Sequence, residues 1–189
     1  WTTTGGFTWR ASKITSGDYN GDGKDDIAVL YDGGTSTDGK SITSLFTFAS
    51  NGTDFDAPRK TWTSSGSFNW NASKVTSGDF SGDGKDDVAV LYDRGVAADG
   101  KFGTSLFTFT STGTDLAAPR EVWTSTGSFN WNVSGLTSGD YNKDDKHDIG
   151  VLYRAGTTAD GRRVDSLFTF TSTGTGITAP VKHWTGSVI

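Results

Sequence analysis

One period governs this chain: 61 residues, met three times without an insertion. Trp1, Trp62, Trp123 and Trp184 keep that spacing. Trp9, Trp70 and Trp131 keep it too, as do Pro58, Pro119 and Pro180. A fixed period makes each unit the same structural object, burying its apolar faces against its neighbours. The units run 1–61, 62–122 and 123–183, and 184–189 overlaps 1–6 in repeat phase.

Within the period lies an acidic loop. Asp18-Tyr19-Asn20-Gly21-Asp22-Gly23-Lys24-Asp25-Asp26 returns as Asp79 to Asp87, with Ser81 at position 3, and as Asp140 to Asp148, with Asp145 at position 6. Oxygen side chains recur at positions 1, 3, 5 and 9: Asp18, Asn20, Asp22 and Asp26; Asp79, Ser81, Asp83 and Asp87; Asp140, Asn142, Asp144 and Asp148. Hard cations such as Ca²⁺ take six to eight oxygens, and such a run wraps oxygens around one point. The backbone carbonyl of position 7 (Lys24, Lys85, Lys146) is the expected further ligand. Position 12 holds Val29, Val90 or Val151, where an EF-hand would need a bidentate Glu. The alternative is an Asp/Gly-rich hairpin without metal, since Asp-Gly is a common turn signal. Three copies in one phase favour calcium. The third site is expected to be weakest, because Asp145 stands where the others have Gly.

The acidic balance has a pattern. Of 22 acidic residues only Glu121 is Glu, and twelve Asp lie in the three loops. Three bound Ca²⁺ would move the formal charge from −5 to +1. There is no basic stripe to bind nucleic acid and no apolar run long enough to span a membrane. Without Cys there is no disulfide framework and no thiolate zinc site. With no initiator Met, the chain reads as a piece processed or excised from a longer product.

Thr, Ser, Gly and aromatics favour β structure. Four strands per unit are expected: in the second unit, about Phe68–Ser77, Asp87–Tyr92, Ser105–Thr110 and Arg120–Thr124. Val88, Val90 and Tyr92 point one way along the second strand, Ala89 and Leu91 the other. Four antiparallel strands covered on both faces describe a propeller blade. The expected fold is all-β: a β-propeller of three 61-residue, four-stranded blades. Three blades are too few for a ring, so a homodimer completing six blades is expected, or a cut from a longer array. The overlap of 1–6 with 184–189 suits closure by strand exchange, or follows simply from where the sequence starts and stops.

The stretches SGDYNGDGKDDIAVLYD (16–32) and SGDFSGDGKDDVAVLYD (77–93), with the degraded SGDYNKDDKHDIGVLYR (138–154), resemble the FG-GAP (VCBS-like) repeat. That family includes integrin α-subunit blades and repeats of secreted bacterial proteins. The Trp-rich wording WTSTGSFNWN resembles repeats appended to secreted actinobacterial hydrolases and propeller lectins. The resemblance implies a propeller with Ca²⁺ in a blade hairpin and an extracellular setting. It does not fix a function, because the fold hosts many.

Catalysis has little to work with. Only His147 and His183 exist, one inside a loop, so a repeated triad is out of reach. Paired carboxylates for glycoside hydrolysis have few candidates outside the turns. No enzyme is expected. Sugar binding has better material: pyranose rings stack on aromatics, and amides bond hydroxyls. Trp9 with Arg10, Trp70 with Asn69 and Asn71, and Trp131 with Asn130 and Asn132 form the candidate ligand series. A Trp repeated once per blade is also a core residue, so the expectation to test is that this series is the exposed one. The leading reading is a secreted, lectin-like module for a carbohydrate or cell-surface glycan; the alternative is a protein-recognition scaffold.

Overall fold

The computed structural model describes residues 6–127 and 129–188; Trp1 and most of the 1–6 overlap lie outside them. Three antiparallel four-stranded sheets follow one another along the chain. The first holds β1 (Ser12–Gly17), β2 (Asp26–Thr35), β3 (Ser41–Phe48) and β4 (Arg59–Ser65). The second holds β5 (Ser73–Gly78), β6 (Asp87–Val96), β7 (Phe102–Phe109) and β8 (Arg120–Thr126). The third holds β9 (Ser134–Gly139), β10 (Asp148–Thr157), β11 (Arg163–Phe170) and β12 (Val181–Val188). Strand order in each sheet is sequence order, as hairpin connections dictate. The sheets stand side by side with β5 between β1 and β9. They do not close into a ring.

The strand expectation needs one correction. Phe68–Ala72 is not strand; Trp70–Ala72 is a short 3-10 turn before β5, repeated at Trp9–Ala11 and Trp131–Val133. Asn69 and Asn130 cap two of these turns, each side chain accepting the backbone N–H two residues on, from Asn71 and Asn132; Thr8 precedes the first turn without such a bond. Such local bonds compete with a sheet ladder. The 61-residue boundaries at 62, 123 and 184 fall inside the fourth strands. Val181–Val188 pairs with β11 and completes the third sheet.

Alternation decides the two cores. Ala28, Leu30 and Leu45, from the trailing face of sheet one, pack on Phe68, Val88, Val90 and Phe109 from the leading face of sheet two. Ala89, Leu91 and Leu106 pack on Phe129, Ile149, Val151 and Phe170 in the same way. Strand period 2 places odd and even positions on opposite faces, so one strand feeds both cores. Aromatic edges fill the seams: Phe68 lies 5.5 Å from Trp62 and 5.4 Å from Phe107, in the edge-to-face geometry such rings prefer.

Candidate functional site

Each acidic loop joins the first strand of a sheet to the second. Its shape comes from the carboxylate at position 1. Asp18 accepts the backbone N–H of Gly21 at 2.7 Å and of Asp22 at 3.1 Å on Oδ1, and of Gly23 at 2.7 Å on Oδ2. Asp79 and Asp140 do the same in their loops. Asn20 and Asn142 each accept the N–H two residues on. Asp22, Asp83 and Asp144 accept the N–H of Lys24, Lys85 and Lys146. Those lysine ammoniums also fold back onto the same carboxylates, at 2.8, 2.8 and 3.2 Å. The Lys24 bond holds Asp22 below the usual carboxylate range.

Position 9 is different. Asp26, Asp87 and Asp148 are buried, and each braces the loop after the third strand by accepting the N–H of Ser50, Ser111 or Ser172 at 2.8–2.9 Å. Burial pushes the Asp87 carboxyl up to about 7, and the charges of Asp79 and Asp83 add to the shift. Burial raises Asp26 as well, with Asp22 and Asp18 adding to it. Removing water from a carboxylate beside other carboxylates disfavours its charge. A divalent cation among these oxygens reverses that sign.

The residues fit a hard cation in kind. The donors are carboxylate, amide, hydroxyl and backbone carbonyl oxygens, with no nitrogen or sulfur among the expected ligands. Among the described residues no three His or acidic side chains already converge as a metal cluster; the loop carboxylates are turned onto backbone N–H groups and lysines. In a loaded loop Asp18, Asn20, Asp22, Asp26 and the Lys24 carbonyl would hold the ion, with the matching sets in the other units, and the lysine ammonium would give way to it. The ion would neutralise the loop; it supplies no reaction.

Without metal, these shifts fix the direction of a pH effect. The unfolded chain releases the Asp87 proton near the ordinary value of 3.8, whereas the folded chain holds it to about 7. Between those values the native state binds more protons, so stability falls as pH rises and then levels off. Asp26 contributes with the same sign. Urea melts of chelated protein are expected to give a lower midpoint at pH 8 than at pH 5, and a flat or rising profile would contradict the assignment.

The third loop differs in backbone. Gly21, Gly23, Gly82 and Gly84 have φ of 75–81°, and their counterparts Lys143 and Asp145 are both held at 63°. A side chain in that region costs about 1–2 kcal/mol. The bond from the position-6 N–H lengthens from 2.7 and 2.8 Å to 3.2 Å at Asp145. Changing Lys143 and Asp145 together to Gly is expected to stabilise the chain by about 1 kcal/mol, because relief of strain exceeds the entropy Gly loses on folding. Chemical denaturation measures it, and a destabilised double variant would remove strain as the reason the third loop differs.

Position 8, which the spacing argument passed over, joins the units. Asp18 donates its N–H to the Asp86 carboxylate at 2.9 Å, and Asp86 returns its N–H to the Asp18 carbonyl at 2.8 Å. His147 repeats this exchange with Asp79, accepting on Nδ1 at 2.8 Å. Asp25 holds the same position in the first loop. The period alone could have marked these residues, but not that they reach the preceding unit.

The tryptophan series also belongs to the joints. Trp70 donates Nε1–H to the Leu30 carbonyl, and Trp131 to the Leu91 carbonyl, both at 2.8 Å. Lys13 and Lys74 lie 4.3 and 4.2 Å from the Trp70 and Trp131 ring centroids. Their ammoniums donate to the carbonyls of Trp70 and Ser73, and of Trp131 and Ser134. Burial pushes Lys13 down to about 8, and the Lys74 charge adds to the shift. The expectation of an exposed series is therefore corrected for Trp70 and Trp131. They are half-buried between sheets, each with a ring face covered by a lysine. Trp9 is 79 % exposed beside Arg10, with no sheet of the described residues packed in front of it. Asn69 and Asn130 spend their side-chain oxygens on the turns, while Asn71 and Asn132 remain exposed.

Three like sheets, each with an oxygen-rich loop in its first hairpin, define a tandem-repeat β protein. Residues 18–90 match the family model described as FG-GAP-like repeat. The matched stretch runs from the first acidic loop into β6, and the third unit repeats its pattern. Such repeats point to an adhesion-type β module. No match was found among curated proteins. Among the described residues no helix is long and apolar enough to cross a membrane.

Proposed function

We propose that this chain is a secreted, non-catalytic recognition module of the adhesion type, held together by structural Ca²⁺ in its three acidic loops and binding a protein surface. One observation supports it: the buried Asp87 carboxylate lies near the Asp79 and Asp83 carboxylates, and among the described residues the only cation on them is the Lys85 ammonium at Asp83, beside backbone N–H groups such as that of Ser111. A buried carboxylate is held by hydrogen bonds, by an opposite charge or by a metal, and a divalent cation would supply the positive charge that this loop is short of. Calcium-rich extracellular fluid supplies that ion. The same loops hold the joints through position 8, so the ion stiffens the array and leaves its outer loops to meet a partner. The choice of protein over glycan rests on the tryptophans: Trp70 and Trp131 are occupied by Lys13, Lys74 and backbone carbonyls, which removes that series as a repeated flat platform for a sugar ring.

Titration of calcium into chelated protein by calorimetry, followed by a glycan array and a cell-surface binding assay, tests both halves. Heat of binding with a blank glycan array and calcium-dependent, protease-sensitive cell binding is the expected result. A specific hit on the array would return the assignment to the lectin reading. Absence of calcium uptake would remove the metal.

A further inference from the structure

We infer that the trailing face of the third sheet is a docking surface for the leading face of the first sheet in a second copy of this chain, so that two copies close a six-sheet ring. The inference does not rest on the identity of the recognised partner.

The argument starts from the two joints already made, which are one joint repeated. In both, a Trp Nε1–H from the following sheet meets a Leu carbonyl of the preceding one: Trp70 with Leu30, Trp131 with Leu91. In both, a position-1 N–H meets position 8 of the next loop: Asp18 with Asp86, Asp79 with His147. In the first, Tyr19 shares a hydrogen bond with Ser77 at 2.6 Å. Every counterpart for a third joint is present at the two ends of the array. The trailing face offers the Leu152 carbonyl, the Asp140 N–H and the Tyr141 hydroxyl. The leading face offers the Trp9 indole N–H, the Asp25 carboxylate and the Ser16 hydroxyl. The interface that seats one sheet on another is thus continuous, residue by residue, with the two open faces.

Exposure supports the match. Leu152 is 53 % exposed where its counterparts Leu30 and Leu91 are 1 % and 0 %. Tyr141, Leu167 and Trp184 are likewise exposed, while Tyr19 and Leu45 are buried. An open concavity of about 480 Å³ lies there, lined by Tyr141, Leu167, Val181 and His183 among others. On the leading face Phe7 already packs edge-on to Tyr31 and Phe46, both at 4.9 Å, as Phe68 does to Phe107 inside the first joint. That face is preformed, and burying both faces together removes apolar surface from water.

The third joint also differs in a way that suits association between chains. Gly135 replaces Lys13 and Lys74, so the lysine clamp is missing. Val181 replaces Arg59 and Arg120, which bridge to Asp115 and to the Thr175 carbonyl in the other joints. The Tyr141 ring lies back over Gly139 and Gly150, and swings outward to reach Ser16. The joint is more apolar and less stapled than its two relatives. A head-to-tail contact closes when its rotation divides a full turn, and six sheets lie in the ordinary range of propellers.

Light scattering on the whole chain in calcium tests it. The expected mass is about 40 kDa, two chains of 20.0 kDa. Leu152→Asp and Trp9→Ser, one on each face and both exposed in the single chain, are each expected to give the single-chain mass with an unchanged far-UV spectrum. Val96→Asp, on an exposed hairpin away from both faces, is expected to keep the double mass. The inference fails if the unaltered chain stays at the single mass at high concentration, as it would if further sheets of a longer chain were the natural occupant. It fails equally if a ladder of open oligomers forms, or if Leu152→Asp keeps the double mass with its fold intact.

Discussion

Trp131→Ala is expected to lower stability by about 3–5 kcal/mol, the range for deleting a large aromatic from a core. The ring is only half-buried, which argues for the lower end. The deletion also strips a hydrogen bond from the Leu91 carbonyl and uncovers the Lys74 ammonium. Trp70→Ala is expected to do the same at the first joint, by way of Leu30 and Lys13. Trp9→Ala, with an indole 79 % exposed in the single chain, is expected to change the stability of an isolated chain by less than about 0.5 kcal/mol, as exposed surface substitutions do. Urea denaturation of the three variants makes the comparison. Equal, small losses at all three positions would return Trp70 and Trp131 to the role of surface platforms.

Calcium is expected to move the melting temperature more than any single surface substitution. A site filled at a hundred times its dissociation constant stabilises by about 2.7 kcal/mol. For a chain of this length each kcal/mol moves the midpoint by about 2–4 °C. Chelation is therefore expected to lower it by about 5–10 °C for a single saturated site, and further for three. Asp87→Asn sharpens the test. It keeps the shape and the bond from the Ser111 N–H, but removes the buried charge. The chelated variant is expected to be more stable than the chelated parent at neutral pH, and to gain less from calcium. The same melt with and without chelator, with no metal by elemental analysis, would leave the loops as plain turns.

Much of the fold was legible because its signals are local. Alternation at Val88, Ala89, Val90 and Leu91 fixed the strand and assigned each residue to a face. Glycine at position 6 marked the first two loops, since the backbone there has positive φ. The Phe68–Ala72 stretch misled, because a short 3-10 turn before the first strand recurs in all three units, with or without an Asn cap, and leaves no mark on the hydrophobic pattern. Position 8 gave no local sign, because its partner lies on the next unit, 68 residues away in sequence. The brace from Ser50, Ser111 and Ser172 to the closing Asp was hidden for the same reason, although the three serines keep the period.

By itself the sequence determined that three equal units would form, that each would be a four-stranded antiparallel sheet, and that oxygen atoms would crowd one loop per unit. These follow from period, alternation and turn chemistry, which act between residues close along the chain. Only the tertiary structure decided what the tryptophans do. The same Trp-centred segment yields an exposed ring at Trp9 and a joint at Trp70 and Trp131, because burial depends on whether another sheet stands in front. The open faces were decided in the same way. Leu152 carries the same local code as Leu30 and Leu91, and is exposed because no sheet among the described residues packs against it.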